Sequence, residues 1–438
     1  MSICDNFICD NISKNDAGHL TFGGLDTTIL AAKHKTPLYL MDENKIRSNC
    51  RIYTDAFKKY FKEGSLVLYA GKANAFKYIY SIIMDENMGV DLVSSGEIYT
   101  AKAAGYNMEN AFFHSNNKTA DDIAFAMDCG VGYFVMDNVE EVLGVEAEAA
   151  KRGIVQKALL RITPGIDPHT YEAVATGKVD SKFGLAIETG QAEECTALTL
   201  QQSHIKVCGF HCHVGSEVFA EDVFERSAVV MLEFMADMKK KYGCDANILD
   251  LGGGYGVRYV HSDPYVDIDA KIKSVSETIR ETCSRLDYEE PIIMMEPGRS
   301  IVADAGMTLY EVGMIKNIPG YKTYVSIDGG MSDNPRYALY GARYTCLNAS
   351  RMNEDCNMTA SIVGRCCESG DIIQENVEVP EATCRGDIIA VCTTGAYNYS
   401  MASNYNRIGR PPIVMLKDGE DKVVVRRETF EDMIALDL

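Results

Sequence analysis

Ser65-Leu-Val-Leu-Tyr-Ala-Gly-Lys-Ala-Asn74 carries five apolar residues in a row, Leu66 to Ala70, followed at once by Lys72 and Asn74. A short uninterrupted apolar run is the pattern of a strand buried on both faces, as in a parallel sheet covered by helices. Polar residues just past the C-terminal end of such a strand fall on the rim where a (β/α)8 barrel keeps its chemistry. A partly buried lysine there has its amine freed by desolvation, which makes it a usable nucleophile.

Working outward, the same kind of run recurs with helical patterns between: Val90–Val93, Ala111–His114, Tyr133–Met136, Ala158–Ile162, Val207–His213, Ile248–Leu251 and Ile292–Met295. With Leu66–Ala70 these make eight strands alternating with helices, the signature of an α/β chain folded as a (β/α)8 TIM barrel. Pro37 to Met41 reads as a strand and Glu43 to Phe61 as a helix, so the barrel domain is expected over residues 36–305. Ser94-Ser-Gly-Glu97 reads as a capping box that starts one intervening helix. After Arg299 the pattern turns β-rich, with runs at Thr308–Lys316, Tyr321–Ile327, Ala360–Val363, Asp387–Cys392 and Lys422–Val425. Residues 306–438 are therefore expected to form a C-terminal all-β domain, joined by N-terminal strands within residues 1–35 such as Phe7-Ile8 and His19–Phe22.

The chain has 438 residues and a formal net charge of −20, which repels nucleic acid rather than steering it in. Met1 to Asp10 has neither the basic segment nor the apolar core of a signal peptide, and no run is long enough to span a membrane. A cytoplasmic location is the expectation, with the 15 cysteines reduced. No CxxC pair is present, so the commonest zinc signature is missing and no resident metal is expected.

The unusual residues gather at strand ends. Asp91, in Asp91-Leu-Val-Ser-Ser-Gly-Glu97, is an acid within an apolar strand and needs either a positive partner or a buried hydrogen bond. In His211-Cys-His-Val-Gly-Ser216 the two histidines share a face, which admits a metal pair or a flat imidazole stacked on a cofactor ring. Gly215 and Ser216 offer an N–H and a hydroxyl to a phosphate. Gly252-Gly-Gly-Tyr-Gly256 lets the backbone turn back with its N–H groups toward an anion, yet matches neither a Walker A nor a dinucleotide fingerprint. Glu296-Pro-Gly-Arg299 brings a carboxylate and an arginine to the last strand end, for a salt bridge or for gripping a ligand. Lysine, stacking histidine, glycine loop and glutamate are the parts that pyridoxal 5'-phosphate requires.

On these stretches, together with Arg336-Tyr-Ala-Leu-Tyr340, Cys367-Glu-Ser-Gly-Asp371, Gly395-Ala-Tyr397 and Ser400-Met-Ala-Ser-Asn-Tyr-Asn406, the chain resembles the fold-type III pyridoxal-phosphate decarboxylases. Within them it resembles the diaminopimelate decarboxylase family, from Thr36 to about Pro412. The resemblance implies decarboxylation of meso-2,6-diaminopimelate to L-lysine, the last step of lysine biosynthesis. It makes Lys72 the Schiff-base lysine, His213 the ring-stacking residue and Glu296 the partner of the ring nitrogen, with Asp91 nearby. Ser216, Gly252, Gly253, Gly254, Gly298, Arg299 and Tyr397 would hold the phosphate. Arg299, Arg336 and Tyr340 would grip the distal carboxylate, Glu368 the distal ammonium, and Cys367 would donate the proton after carbon dioxide leaves. In that family Cys367 and Glu368 reach the site from the neighbouring subunit, which implies a homodimer. Tyr337 stands where the family commonly has proline, and Gly71 where it varies.

Other readings are a decarboxylase of ornithine, arginine or carboxynorspermidine, an alanine-racemase-like enzyme, a catalytically silent relative that binds a partner, or a metal-dependent barrel hydrolase. An enzyme for diaminopimelate needs a cation and a carboxylate for the second amino-acid head. Arginine with Glu368 supplies both, which speaks against ornithine and arginine as substrates.

Overall fold

The computed structural model describes residues 7–166 and 180–438. Residues 1–6, part of the stretch read as lacking a signal peptide, lie outside the described residues. The chain divides into two compact units: one of Asn49–Gly256 and Val266–Ser300, the other of residues up to Ser48, Val257–Tyr265 and Ile301–Leu438.

The first unit is the expected barrel. Its strands are Leu66–Ala70, Gly89–Leu92, Ala111–Phe113, Tyr133–Met136, Gln156–Thr163, Ile205–His211, Ile248–Asp250 and Ile292–Met295. Each pairs in parallel with the next, and the eighth closes on the first through Met294–Leu66 and Met295–Val67. Their positions are the eight runs read from the sequence. Helices such as Lys77–Asp85, Ala120–Cys129, Val223–Tyr242 and Ile268–Leu286 separate them.

The strands' inward faces explain where polar residues can sit. Leu68, Phe112, Val135, Leu159, Cys208, Ile248 and Met294 form one apolar cluster, a residue from each of seven strands. The eighth contribution is Gly89, where a side chain would collide with Leu68. Two residues further along, on the same face, come Ala70, Asp91, His114, Asp137, Arg161, Asp250 and Glu296. A register shift between Val207 and Gly209 rephases the sixth strand, so that His211 joins this layer although it lies three residues after Cys208. A polar layer thus rests on an apolar plug, at the C-terminal end of the barrel.

The second unit is β-rich as expected. Its sheet runs Ile372–Pro380, Cys356–Val363, Lys322–Ile327, Gly306–Ile318, Leu38–Asp42, Ile413–Lys417 and Glu420–Val425, with Ile388–Cys392 also on Gly306–Ile318. Leu38–Asp42, which falls inside the residues assigned to the barrel from sequence, pairs instead with Gly306–Ile318 and Ile413–Lys417. The N-terminal strands are Ile12–Lys14, Leu20–Phe22 and Leu25–Asp26, and Phe7-Ile8 is not one of them. They make a sheet of their own rather than extending the large one, yet Ile12, Leu20 and Phe22 pack with Leu38, Leu40, Met307 and Leu309 in one core. Thirteen described cysteines are free thiols, whereas Cys356 is disulfide-bonded, contrary to a fully reduced set. No helix among the described residues is long and apolar enough to cross a membrane.

Candidate active site

Lys72 occupies a short 3-10 turn, Gly71–Ala73, directly after the first barrel strand. Its charge is felt by Asp91, Glu97 and His213. Gly71 has a steric reason: a Cβ there would lie 2.8 Å from the Tyr80 hydroxyl and 3.2 Å from both the Asp91 carbonyl and a Glu97 carboxylate oxygen. The expected capping box is half formed. Ser94 takes the N–H of Glu97, but the Glu97 carboxylate turns to the N–H of Val93 at 2.9 Å. Burial pushes Glu97 up to about 7.

Glu296 lies at the centre of the polar layer. His114 Nε2 approaches its Oε1 to 2.7 Å and His211 Nε2 its Oε2 to 3.3 Å. Burial pushes this carboxyl up, but the two imidazoles win and hold it well below the usual carboxylate range. Asp91, 1% exposed, faces His114 Nε2 at 3.7 Å, and burial raises its carboxyl above the usual range. Burial and the charge of Glu296 raise Asp250 well above the usual range, while its Oδ1 accepts the N–H of Gly252 at 2.9 Å.

The two histidines of the sixth strand part company. His211 turns to Glu296, and burial lowers it to about 4. His213 accepts the N–H of Gly253 on Nδ1 at 3.3 Å, and burial, then the charges of Lys72 and Arg161, hold it far below the ordinary histidine range. They do not act as a pair on one ion. The ligand-type atoms of His114, His211, Asp250 and Glu296 do lie within 4.8 Å of one another, a set open to a divalent cation as well as to hydrogen bonding.

The glycine loop is sterically required. Gly252 has φ +67° and Gly254 φ +122°. A Cβ on Gly253 would overlap the carbonyl of Glu296, and one on Gly254 the carbonyl of Gly215. Gly253→Ala is therefore expected to destabilise the fold by about 1–3 kcal/mol, the usual cost of overpacking. A lower urea midpoint checks it, and an unchanged midpoint would mean the loop has room. Arg299 donates to Ser216 Oγ at 3.2 Å and faces Glu217 at 3.7 Å. Gly298 backs onto Ala70 and Ala73, with a Cβ there only 2.9–3.0 Å from their methyls.

In the β unit, Arg336 is buried and donates to the hydroxyls of Tyr259 and Tyr344 at 3.2 and 3.1 Å, with the Tyr397 ring 5.6 Å from its guanidinium. Tyr340, Cys367 and Glu368 are exposed. The N–H of Cys367 is held by Asn406 Oδ1 at 2.7 Å.

A model of the pyridoxal-dependent decarboxylases, their pyridoxal binding domain, matches residues 43–303. The diaminopimelate decarboxylase of Bacillus subtilis is 41% identical over 99% of this chain and 98% of its own. This chain belongs to the diaminopimelate decarboxylase family. The Mycobacterium tuberculosis enzyme is 36% identical over 98% of this chain and 97% of its own. The solved structure of the M. jannaschii diaminopimelate decarboxylase in complex with L-lysine superposes with a TM-score of 0.90, at 33% identity and 98% coverage of both chains.

Membership leaves His114, Asp137 and Arg161 as members of the polar layer that the sequence reading passed over. Asp137 takes the N–H of Gly184 at 2.9 Å and faces Arg161 at 3.7 Å, and Arg161 lies over the Phe183 ring at 4.4 Å. The period-two rule counted from Phe112, Val135 and Leu159 would have found all three.

Proposed function

We propose that this protein removes the carboxylate at one end of meso-2,6-diaminopimelate, giving L-lysine and carbon dioxide, with pyridoxal 5'-phosphate as cofactor. The observation that carries the reading is Glu296, a carboxyl group buried at a barrel strand end between two imidazoles. Glu296 Oε1, His114 Nε2, His211 Nδ1 and Asp91 Oδ1 are buried there without an aligned hydrogen-bond partner. A ring nitrogen carrying a proton fits that need. When bound, the cofactor supplies an electron-accepting ring for the pair left as carbon dioxide departs.

Each residue then has a task. The Lys72 amine would hold the cofactor, once bound, through its carbonyl carbon. Glu296 accepts the ring N–H, with the buried Asp91 carboxyl beside it, and His213, kept neutral by burial, offers a flat uncharged face. Ser216, Gly252, Gly253, Gly254, Gly298, Arg299 and Tyr397 serve the phosphate through N–H, hydroxyl and guanidinium donors. Arg299, Arg336 and Tyr340 take the distal carboxylate and Glu368 the distal ammonium. Cys367 returns a proton, as part of a homodimer that shares its sites.

Carbon dioxide release by the cofactor-loaded protein tests this, with diaminopimelate, ornithine, arginine and lysine supplied side by side. Release from diaminopimelate alone, with lysine as product, is expected. Unpaired polar groups reject the wrong substrate by roughly 10⁴-fold. Release from ornithine or arginine instead would mean that Arg299, Arg336 and Glu368 do not read the distal head.

A further inference from the structure

Under the proposed function Glu296 is a charged group aimed at the ring, and residues from three other strand ends of the barrel surround it. Each of its oxygens faces its own imidazole: Oε1 faces His114 Nε2 at 2.7 Å and Oε2 faces His211 Nε2 at 3.3 Å. The two rings meet edge to face, with centroids 4.8 Å apart and planes at 69°. All three residues are at most 5% exposed. Asp250 completes the cluster while its other oxygen is tied to the backbone of Gly252. A carboxylate taken from water at this depth costs several kcal/mol unless both oxygens are compensated. His211 supplies an aligned hydrogen bond. His114 supplies proximity without alignment, its Nε2 lying between Glu296 and Asp91, 3.7 Å from the latter.

We infer that His114 is a positioning residue for the cofactor: with His211 it clamps Glu296 as a carboxylate turned toward the ring nitrogen, and so decides how strongly the protein prefers a ring that bears that nitrogen. The inference rests on the proposed function and adds a residue to it. Without His114, Oε1 has no facing imidazole. Glu296 then lowers its cost by taking a proton, and a neutral carboxyl no longer distinguishes a protonated nitrogen from a carbon. The role is indirect, since His114 acts through Glu296.

The test uses two ligands on the full-length protein freed of cofactor: pyridoxal phosphate and its carbon analogue, deazapyridoxal phosphate, with CH in place of the ring nitrogen. Dissociation constants are measured for wild type, His114→Ala and His114→Gln. Wild type is expected to prefer the nitrogen ring. In His114→Ala that preference falls by about tenfold or more, the difference between a charge-assisted and a neutral hydrogen bond. Affinity for the carbon ring stays within about threefold of wild type. His114→Gln, which keeps a donor, recovers part of the preference. Parallel weakening of both ligands, or an unchanged preference, overturns the clamp while leaving the cofactor reading in place. A wild type that takes up neither ring overturns both. If His114→Ala fails to fold, the comparison stands on His114→Gln, expected to lose only part of the preference, and on His211→Ala, expected to lose about as much as His114→Ala.

Discussion

Lys72→Ala is expected to abolish turnover, by at least about 10⁴-fold, since under the proposed function it removes both a covalent anchor and a positioned amine. The visible absorbance of lysine-bound cofactor should vanish with it. Two observations make the lysine more than a nearby charge. Its turn is pinned, Asn74 N–H to the Gly71 carbonyl at 3.0 Å and the Tyr69 hydroxyl to the Asn74 carbonyl at 2.9 Å, so the amine starts from a fixed backbone. Its charge also reaches Asp91, Glu97 and His213, the groups that surround the proposed ring site. Lys72→Arg separates the two roles. Arginine keeps the charge, but its guanidinium does not deprotonate and so cannot bond to a carbonyl carbon. We expect it to be as inactive as the alanine variant. Turnover by Lys72→Arg within about tenfold of wild type would reduce Lys72 to an electrostatic role.

Much of this arrangement was legible in the sequence because barrel strands buried on both faces are continuous apolar runs, and the chemistry begins where a run stops. Lys72, His213 and Glu296 were singled out by that rule, and Asp91 as an acid inside such a run. His114 and Arg161 end or interrupt such runs too, but each is a single polar residue that a count of apolar neighbours absorbs. In the β unit the signal was weaker. Ile372–Pro380 alternates with polar residues, Gln374, Glu375, Asn376 and Glu378, and so reads as an exposed stretch. Ile413–Lys417 follows two prolines, which mask a strand start. Leu38–Asp42 was recognised as a strand but given to the wrong sheet. Its partners lie some 270 and 370 residues away, and pairing at such distance leaves no local pattern.

Cys367→Ala is expected to lose about 10²–10⁴-fold in turnover, the range for a positioned proton donor, while cofactor uptake stays at the wild-type level. The loop that bears the thiol is fixed while the thiol itself is not covered. Asp371 takes the N–H of Met331 and of Cys366, each at 2.6 Å, and Asn406 takes that of Cys367, yet Cys367 and Glu368 are exposed. A rigid loop presenting an uncovered thiol and carboxylate is suited to completing a site in a neighbouring subunit. That idea makes a sharper prediction than the single variant does. If sites are shared, a dimer of one Lys72→Ala chain and one Cys367→Ala chain holds one doubly damaged site and one intact site. Unfolding and refolding the two inactive proteins together in equal amounts should then restore about a quarter of wild-type activity, as random pairing in a two-fold dimer requires. A mixture no more active than its parents would mean that Cys367 does not serve a partner's site. An unimpaired Cys367→Ala would remove it from the chemistry altogether.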